Sequence, residues 1–198
     1  MIVGIDEVGR GCWAGPVVAA AVVLPELDAT STELLKSLRD SKVLSRAQRL
    51  KLDTQIRQHA LAIGIGWVSP RRVDMYGLTA AVRMAMEEAL HAVAMPDLDV
   101  VIDGNYNFLA HMDQAQRKIT TLVKADATVP AVSAASIIAK VARDEHMRLA
   151  GLAFPEYGFE KHVGYGTAAH IAALKEHGVT ELHRKSYKPI KALLQLEE

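Results

Sequence analysis

Cysteine is almost absent from this 198-residue chain, where Cys12 stands alone. A single thiol excludes an intramolecular disulfide and a cysteine-built zinc site, and it suits a reducing cytosol. Excess charge of either sign is missing too, because 23 Lys and Arg balance 23 Asp and Glu. No global field announces a nucleic-acid or membrane partner, so any such affinity has to come from local patches. No window approaches ~18 uninterrupted apolar residues, and the opening MIVGIDEVGRG lacks the cationic start and continuous apolar run of a signal peptide. Internal repeats and low-complexity segments are also lacking. With 50% hydrophobic and 23% charged residues, disordered and fibrous classes are excluded. What remains is a soluble, cytoplasmic, globular protein, long enough to bury roughly 70% of its unfolded surface.

What is present is a series of short apolar strands interleaved with amphipathic helices. Residues 2–5 and 17–24 are rich in Val and Ile and are separated by a Gly and Pro cluster too short to hold a helix, so they read as antiparallel neighbours. AIGIGWVS (62–69) alternates Ile63, Ile65 and Trp67 with Gly and Ala, the period of a third strand. DVVID (99–103) and TTLVKAD (120–126) read as two further buried strands, each ending in an acid. SRAQRLKLDTQIRQHA (45–60) opens with Ser45 and Gln48 at capping-box spacing. LTAAVRMAMEEALHAV (78–93) puts Leu78, Ala81, Val82, Ala85, Ala89 and Val93 on one face. Another helix is predicted over 133–150, and one more starts at Thr167 and stops at Gly178. The order predicts an α/β domain around one mixed sheet of about five strands, flanked by helices. Periodicity fails near FPEYGFEKHVGYG (154–166), and residues from about 155 onward are expected to form a small helical C-terminal appendage within one domain covering 1–198.

Asp6, Asp103 and Asp126 each sit at a predicted strand end, and Glu7 follows Asp6 directly. In sheets with parallel strands, sites collect beyond the strands' carboxyl ends. Ionised carboxylates gathered there oppose one another's ionisation, and a bound divalent cation reverses that penalty. Oxygen donors without His or Cys indicate Mg2+ or Mn2+ rather than zinc, and two such ions can activate water and stabilise the leaving oxygen of a phosphodiester. A strand-end aspartate can equally be a turn former or a helix cap, which accounts for one such residue more readily than for three. A geometrical difficulty accompanies the pair: neighbours on a regular strand point to opposite faces. Asp6 and Glu7 share a site only if the strand ends or bulges there, or if Glu7 offers its main-chain carbonyl.

Taken together, GIDEVGRGCWAGPVVAAAVVL, DSKVLS, VIDGN, KADATVPAVSAASIIAKVARDEHM, GYGT and HRKSYKPI resemble the ribonuclease HII family in sequence and order, from residue 2 to about 190. The resemblance implies an RNase H-like fold and an endonuclease that cuts RNA paired with DNA, including a single ribonucleotide within a DNA duplex. Cutting on the 5′ side of the ribonucleotide is implied, with 3′-hydroxyl and 5′-phosphate ends and two Mn2+ or Mg2+ ions. It implies Asp6, Glu7, Asp103 and Asp126 as the metal-binding carboxylates, with Asp6 and Asp126 the best candidates to bridge both ions. Gly9, Arg10 and Gly11 match the segment that reads the ribose 2′-hydroxyl largely through main-chain groups, a use that suits glycine. Tyr165 matches the tyrosine that stacks on a sugar. Cys12 and Trp13 depart from the Pro and small or aliphatic residue expected after Gly-Arg-Gly, and KADA replaces the commoner KGDA; loop shape and substrate preference are what these changes touch.

Further polar groups are candidate phosphate contacts. Ser133, Ser136, Lys140 and Arg143 form a stripe along the helix predicted over 133–150, Lys42 lies in DSK, and HRKSYKPIK (183–191), which contains Arg184, holds four Lys or Arg and no acid. A solvated helix face or surface run is the plainer account of each. A mononucleotide-binding reading of GRGCWAG fails because a strand, not a helix, is predicted to follow the glycines. A related nuclease acting on DNA and a catalytically silent hybrid-binding module stay open as alternatives. The chain is expected to act as a monomer without a membrane partner.

Overall fold

In a computed structural model, residues 1–26, 38, 44–113 and 117–194 are described. Five strands form one mixed sheet in the order β3-β2-β1-β4-β5. β1 (Val3–Val8) pairs antiparallel with β2 (Val17–Val23) and parallel with β4 (Val100–Asp103). β3 (Ala62–Val68) extends the antiparallel side and β5 (Ile119–Leu122) the parallel side. The first three strands thus behave as their short connections require, and the parallel partner of β1 arrives through a long helical crossover. α1 (Arg46–His59) precedes β3, while α2 (Pro70–Tyr76) and α3 (Leu78–Val93) lead to β4. After β5 come α4 (Ala125–Thr128), α5 (Pro130–Ala153), α6 (Phe159–His162), α7 (Ala168–His177) and α8 (Lys188–Leu194).

Small residues bring the helices close to the sheet. A Cβ on Gly64 would lie 1.9 Å from the Ala89 carbonyl oxygen and one on Gly66 2.0 Å from that of Ala85, so the period-2 glycines of β3 mark where the α3 backbone rests. The same face buries Val3, Ile5, Val100 and Ile102 beneath Val82, Met86 and Leu90, each such side chain contributing roughly 1.5–3 kcal/mol. On the other face, Ala20 and Val22 meet Ile137 and Ile138 of α5 with Leu52 and Ile56 of α1. Gly4 lets α5 approach there, since its Cβ would stand 2.2 Å from the Ala131 carbonyl carbon. α1 carries both halves of its capping box, with Gln48 N–H donating to Ser45 Oγ at 3.3 Å and Ser45 N–H to Gln48 Oε1 at 2.8 Å. α5 is longer than predicted because Pro130, whose fixed φ suits a helix start, opens it ahead of Ser133.

A third cluster joins Met147 of α5 to Tyr157, Phe159, Leu174 and Ile190, and it includes Ala14 from the glycine-rich loop after β1. The segment after residue 155 is therefore packed directly on that loop. An isolated antiparallel bridge pairs Ala14 with His183.

Candidate active site

Parallel register places the first two acids together. Ile5 lies opposite Ile102, so Asp6 and Asp103 come next on β1 and β4 and share a face. That face is covered by α5, and the buried Asp6 carboxylate is hydrogen-bonded by the Ser136 side chain. Asp103 Oδ1 accepts the main-chain N–H of Ala125 at 2.7 Å and that of Asp126 at 3.4 Å, which draws the Asp126 turn onto the end of β4. Asp126 is not strand-terminal, contrary to the reading of TTLVKAD. β5 stops at Leu122, Lys124 turns the chain through a left-handed conformation (φ 61°), and Asp126 follows in α4.

Glu7 resolves its geometrical difficulty by diverging. β1 keeps regular pairing with β2 through Glu7 and Val8, so no bulge turns the two acids to one side. The Glu7 side chain takes the opposite face, where its Oε1 accepts from Arg10 Nη1 at 3.0 Å, and the Arg10 guanidinium lies over the Phe108 ring at 5.7 Å. The acids still feel one another. Burial pushes the Asp6 carboxyl up to about 8, the Glu7 charge adds to this and Asp103 adds less, against hydrogen bonds from Ser136 and the Glu7 main chain. Burial raises Glu7 as well, with Arg10 opposing and Asp103 reinforcing the shift. This mutual penalty on an all-oxygen donor set fits a hard divalent cation, which would relieve it. The side chains do not stand as a closed cage: among the described residues, no three His, Cys, Asp or Glu groups are at metal-ligating spacing, in keeping with the turn of Glu7 toward Arg10.

The glycine-rich loop leaves β1 beside these carboxylates. Gly9 is buried, Arg10 and Gly11 are exposed, and Cys12 N–H closes a turn on the Gly9 carbonyl at 3.4 Å. Two buried arginines hold the loop from behind. Arg143 donates to the carbonyls of Pro16 (2.9 Å), Ala14 (3.0 Å) and Val163 (2.9 Å). Arg184 donates to Gly15 O through Nε at 3.1 Å and Nη2 at 2.9 Å, and through Nη1 to Arg10 O at 3.0 Å and to the Tyr187 hydroxyl at 2.8 Å. Both are 0% exposed. Arg143 is therefore no solvated helix residue, and Arg184 is no phosphate contact in this arrangement, because its guanidinium is spent on the loop. Ser133 is corrected likewise, since the buried hydroxyl donates its only proton to the Asp126 carbonyl. Lys140 pairs with Asp144 at 2.7 Å, whereas Lys185, Lys188 and Lys191 of the basic run are exposed. Lys42 lies outside the described residues. The inward-facing roles are not evident in the sequence; the one signal is that Arg143 lies in a helix of otherwise apolar and small residues, whereas Arg184 sits in a basic run.

Tyr165 stands across the loop, 42% exposed, with its hydroxyl hydrogen-bonded to the Cys12 thiol. The main-chain N–H groups of Trp13 and Ala14 donate to Gly164 O at 2.8 and 3.2 Å, so loop and turn are one unit. Behind Tyr165 lie three buried histidines, His162, His170 and His183. Burial lowers His170 and His183 to about 4, aided for His183 by His170 and for both by His162. Both rings are therefore neutral at pH 7. Above pH 6.5 neither the folded nor the unfolded chain charges them, and between 6.5 and about 4 the unfolded chain binds the extra protons. Asp6 and Glu7, both raised when folded, act in the opposite direction, so the Asp6→Asn, Glu7→Gln double variant removes their opposition. In that variant, urea unfolding from pH 7 to 4.5 should show stability falling with pH by up to about 1.4 kcal/mol per unit for each ring, and a flat profile would contradict their neutrality.

A mixed five-stranded sheet between helices, with acids near the ends of its parallel strands, is the RNase H-like fold. The sequence profile of the family Ribonuclease HII matches residues 3–190. The chain belongs to that family, and its class of enzyme is ribonuclease H, acting on RNA in RNA/DNA hybrids. It is 44% identical over 198 residues to "Ribonuclease HII" of Chloroflexus aurantiacus, covering 100% of this chain and 91% of that one. The RNase HII of Archaeoglobus fulgidus, solved in a complex with PCNA, superposes with a TM-score of 0.78 at 26% identity over 95% of either chain. Bst-RNase HIII, solved with Mn2+, shares the fold at a TM-score of 0.69 and 18% identity, covering 100% of this chain and 70% of that one. RNase H enzymes use divalent metal ions.

Proposed function

We propose that the chain hydrolyses the RNA strand of RNA/DNA hybrids and also incises DNA duplexes 5′ of single embedded ribonucleotides. Asp6, Asp103 and Asp126, with Glu7 through its main-chain carbonyl because its side chain turns to Arg10 on the opposite face, would hold two Mg2+ or Mn2+ ions, which when bound supply a nucleophilic water and counter-charge for the departing 3′-oxygen. The carrying observation is juxtaposition: Asp6 and Asp103 share a face, the Asp126 turn is hydrogen-bonded to Asp103, and Gly9-Arg10-Gly11 leaves the same strand. Water adds to phosphorus, the bond from phosphorus to the 3′-oxygen breaks, and that oxygen takes up a proton, giving 3′-hydroxyl and 5′-phosphate ends. Gly11, exposed on the loop, lets main chain meet the 2′-hydroxyl, and Tyr165 stacks on the neighbouring sugar. Exposed Lys185, Lys188 and Lys191 meet phosphates, giving the segment after residue 155 a substrate-binding role.

Three labelled duplexes test this in Mg2+ or Mn2+: all-DNA, RNA/DNA, and DNA with one ribonucleotide. Cleavage of the last two with 3′-hydroxyl ends is expected. Cutting of all-DNA would make the chain a DNA nuclease, and binding of hybrid without any cutting would make it a silent module.

A further inference from the structure

The three histidines behind Tyr165 carry a definite pattern of protons. Thr180 N–H donates to His183 Nδ1 at 3.0 Å, with the Thr180 hydroxyl at 2.9 Å from the same nitrogen, so that nitrogen is an acceptor and the proton sits on Nε2. His183 Nε2 faces His170 Nε2 at 3.0 Å and donates to it, which leaves the His170 proton on Nδ1, 2.9 Å from the Tyr165 carbonyl. His162 accepts Gly164 N–H at Nδ1 (3.2 Å) and donates from Nε2 to the Tyr157 carbonyl (2.7 Å); its ring stacks on His170 with centroids 4.5 Å apart. The cluster is no metal site, because all six ring nitrogens already have partners.

The main chain around His183 belongs to the other side of the site. Arg184 N–H donates to Trp13 O at 2.7 Å and Gly15 N–H to Leu182 O at 2.8 Å, around the Ala14–His183 bridge. Its ring reaches through His170 to Tyr165, while the Trp13 ring packs on Gly166 so closely that a Cβ there would stand 2.2 Å from it. His183 is thus a strut between the glycine-rich loop and the Tyr165 turn. An apolar pair would fill the space without the cost of burying polar rings; what imidazoles add is direction, since each hydrogen bond fixes the next.

We infer that His183 and His170 are positioning residues: a neutral relay from Thr180 through His183 and His170 holds the Tyr165 carbonyl and sets the tyrosine against the Gly-Arg-Gly loop. The inference rests on the proposed sugar-stacking role of Tyr165. The groups acting on the two rings are His162, the Tyr165 and Thr180 main chain, and each other, with Tyr157 and Phe159 packed alongside. Among the described residues, no carboxylate is hydrogen-bonded or ion-paired to either ring, so nothing offsets a proton gained by the relay.

Long-range 15N NMR on the unmodified protein at pH 7.5 reads the tautomers. His170 should carry its proton on Nδ1 and His183 on Nε2; any other pair overturns the relay. Kinetics on the single-ribonucleotide duplex test its purpose. His170→Ala should lower kcat/KM about ten-fold, His170→Asn, whose amide can replace the donor to Tyr165 O, should recover most of the loss, and adding His170→Ala to Tyr165→Ala should cost little more than Tyr165→Ala alone. Independent, multiplying losses would reduce the histidines to general stability and overturn the inference, as would an Asn variant no better than Ala. If Tyr165→Ala itself cut normally, the stacking role would fall, a separate result from the tautomer measurement.

Discussion

Asp126→Asn is expected to lower kcat by about 1,000-fold or more in Mg2+ or Mn2+, because losing one carboxylate from a divalent-ion site removes about 4 kcal/mol of charge stabilisation from the transition state. Binding of uncut hybrid should change far less, since the lysines and the glycine-rich loop are untouched. Asparagine keeps the shape of the side chain, and the contacts with Asp103 and Ser133 are made by the Asp126 main chain, so the local fold should be kept. Single-turnover kinetics over a titration of Mn2+ would check the loss, and near-normal turnover would remove Asp126 from the site.

Gly11→Ala is expected to lose about 100-fold in kcat/KM on the single-ribonucleotide duplex with an unchanged melting temperature. The structure separates it from Gly9→Ala. A Cβ on Gly11 meets nothing within 4 Å among the described residues, so the collision expected there is with an incoming sugar. Gly9 has φ 90°, and its Cβ would lie 2.3 Å from Arg143 Nε and 2.8 Å from Pro16 O, so alanine there should lower the melting temperature as well as the activity. A Gly11→Ala enzyme that kept its full preference for ribose would end the main-chain reading of the 2′-hydroxyl.

Much of this arrangement is legible in the sequence because it is local. The helix over Leu78–Val93 and its buried stripe follow from spacing, the Ser45 and Gln48 capping box from two residues three apart, and the strand of Ile63, Ile65 and Trp67 from alternation. Asp6 and Asp103 are legible because apolar strands end near them. What escapes is what depends on contacts across the chain. The turn at Lys124 that carries Asp126 away from β5 needs a left-handed residue that no glycine announces. The stripe of Ser133, Ser136, Lys140 and Arg143 has the right spacing and the wrong destination: Ser136 and Ser133 brace the acids, and Arg143 is buried under Gly9 and Ala14. Arg184 sits in a basic run that reads as surface, but its partners at residues 10 and 15 are visible only once the chain has folded back.

That fold-back bears on the order of events during synthesis. Arg184 reaches Gly15 and Arg10 across sequence separations of 169 and 174, and Arg143 reaches Ala14 and Pro16 across 129 and 127. Local helices and the β1–β2 pair can form as the chain emerges, but closing contacts of this span waits on most of the polypeptide. The loop is thus translated early and set late, so a growing chain on the ribosome holds its acids before it holds the shape proposed to tell ribose from deoxyribose.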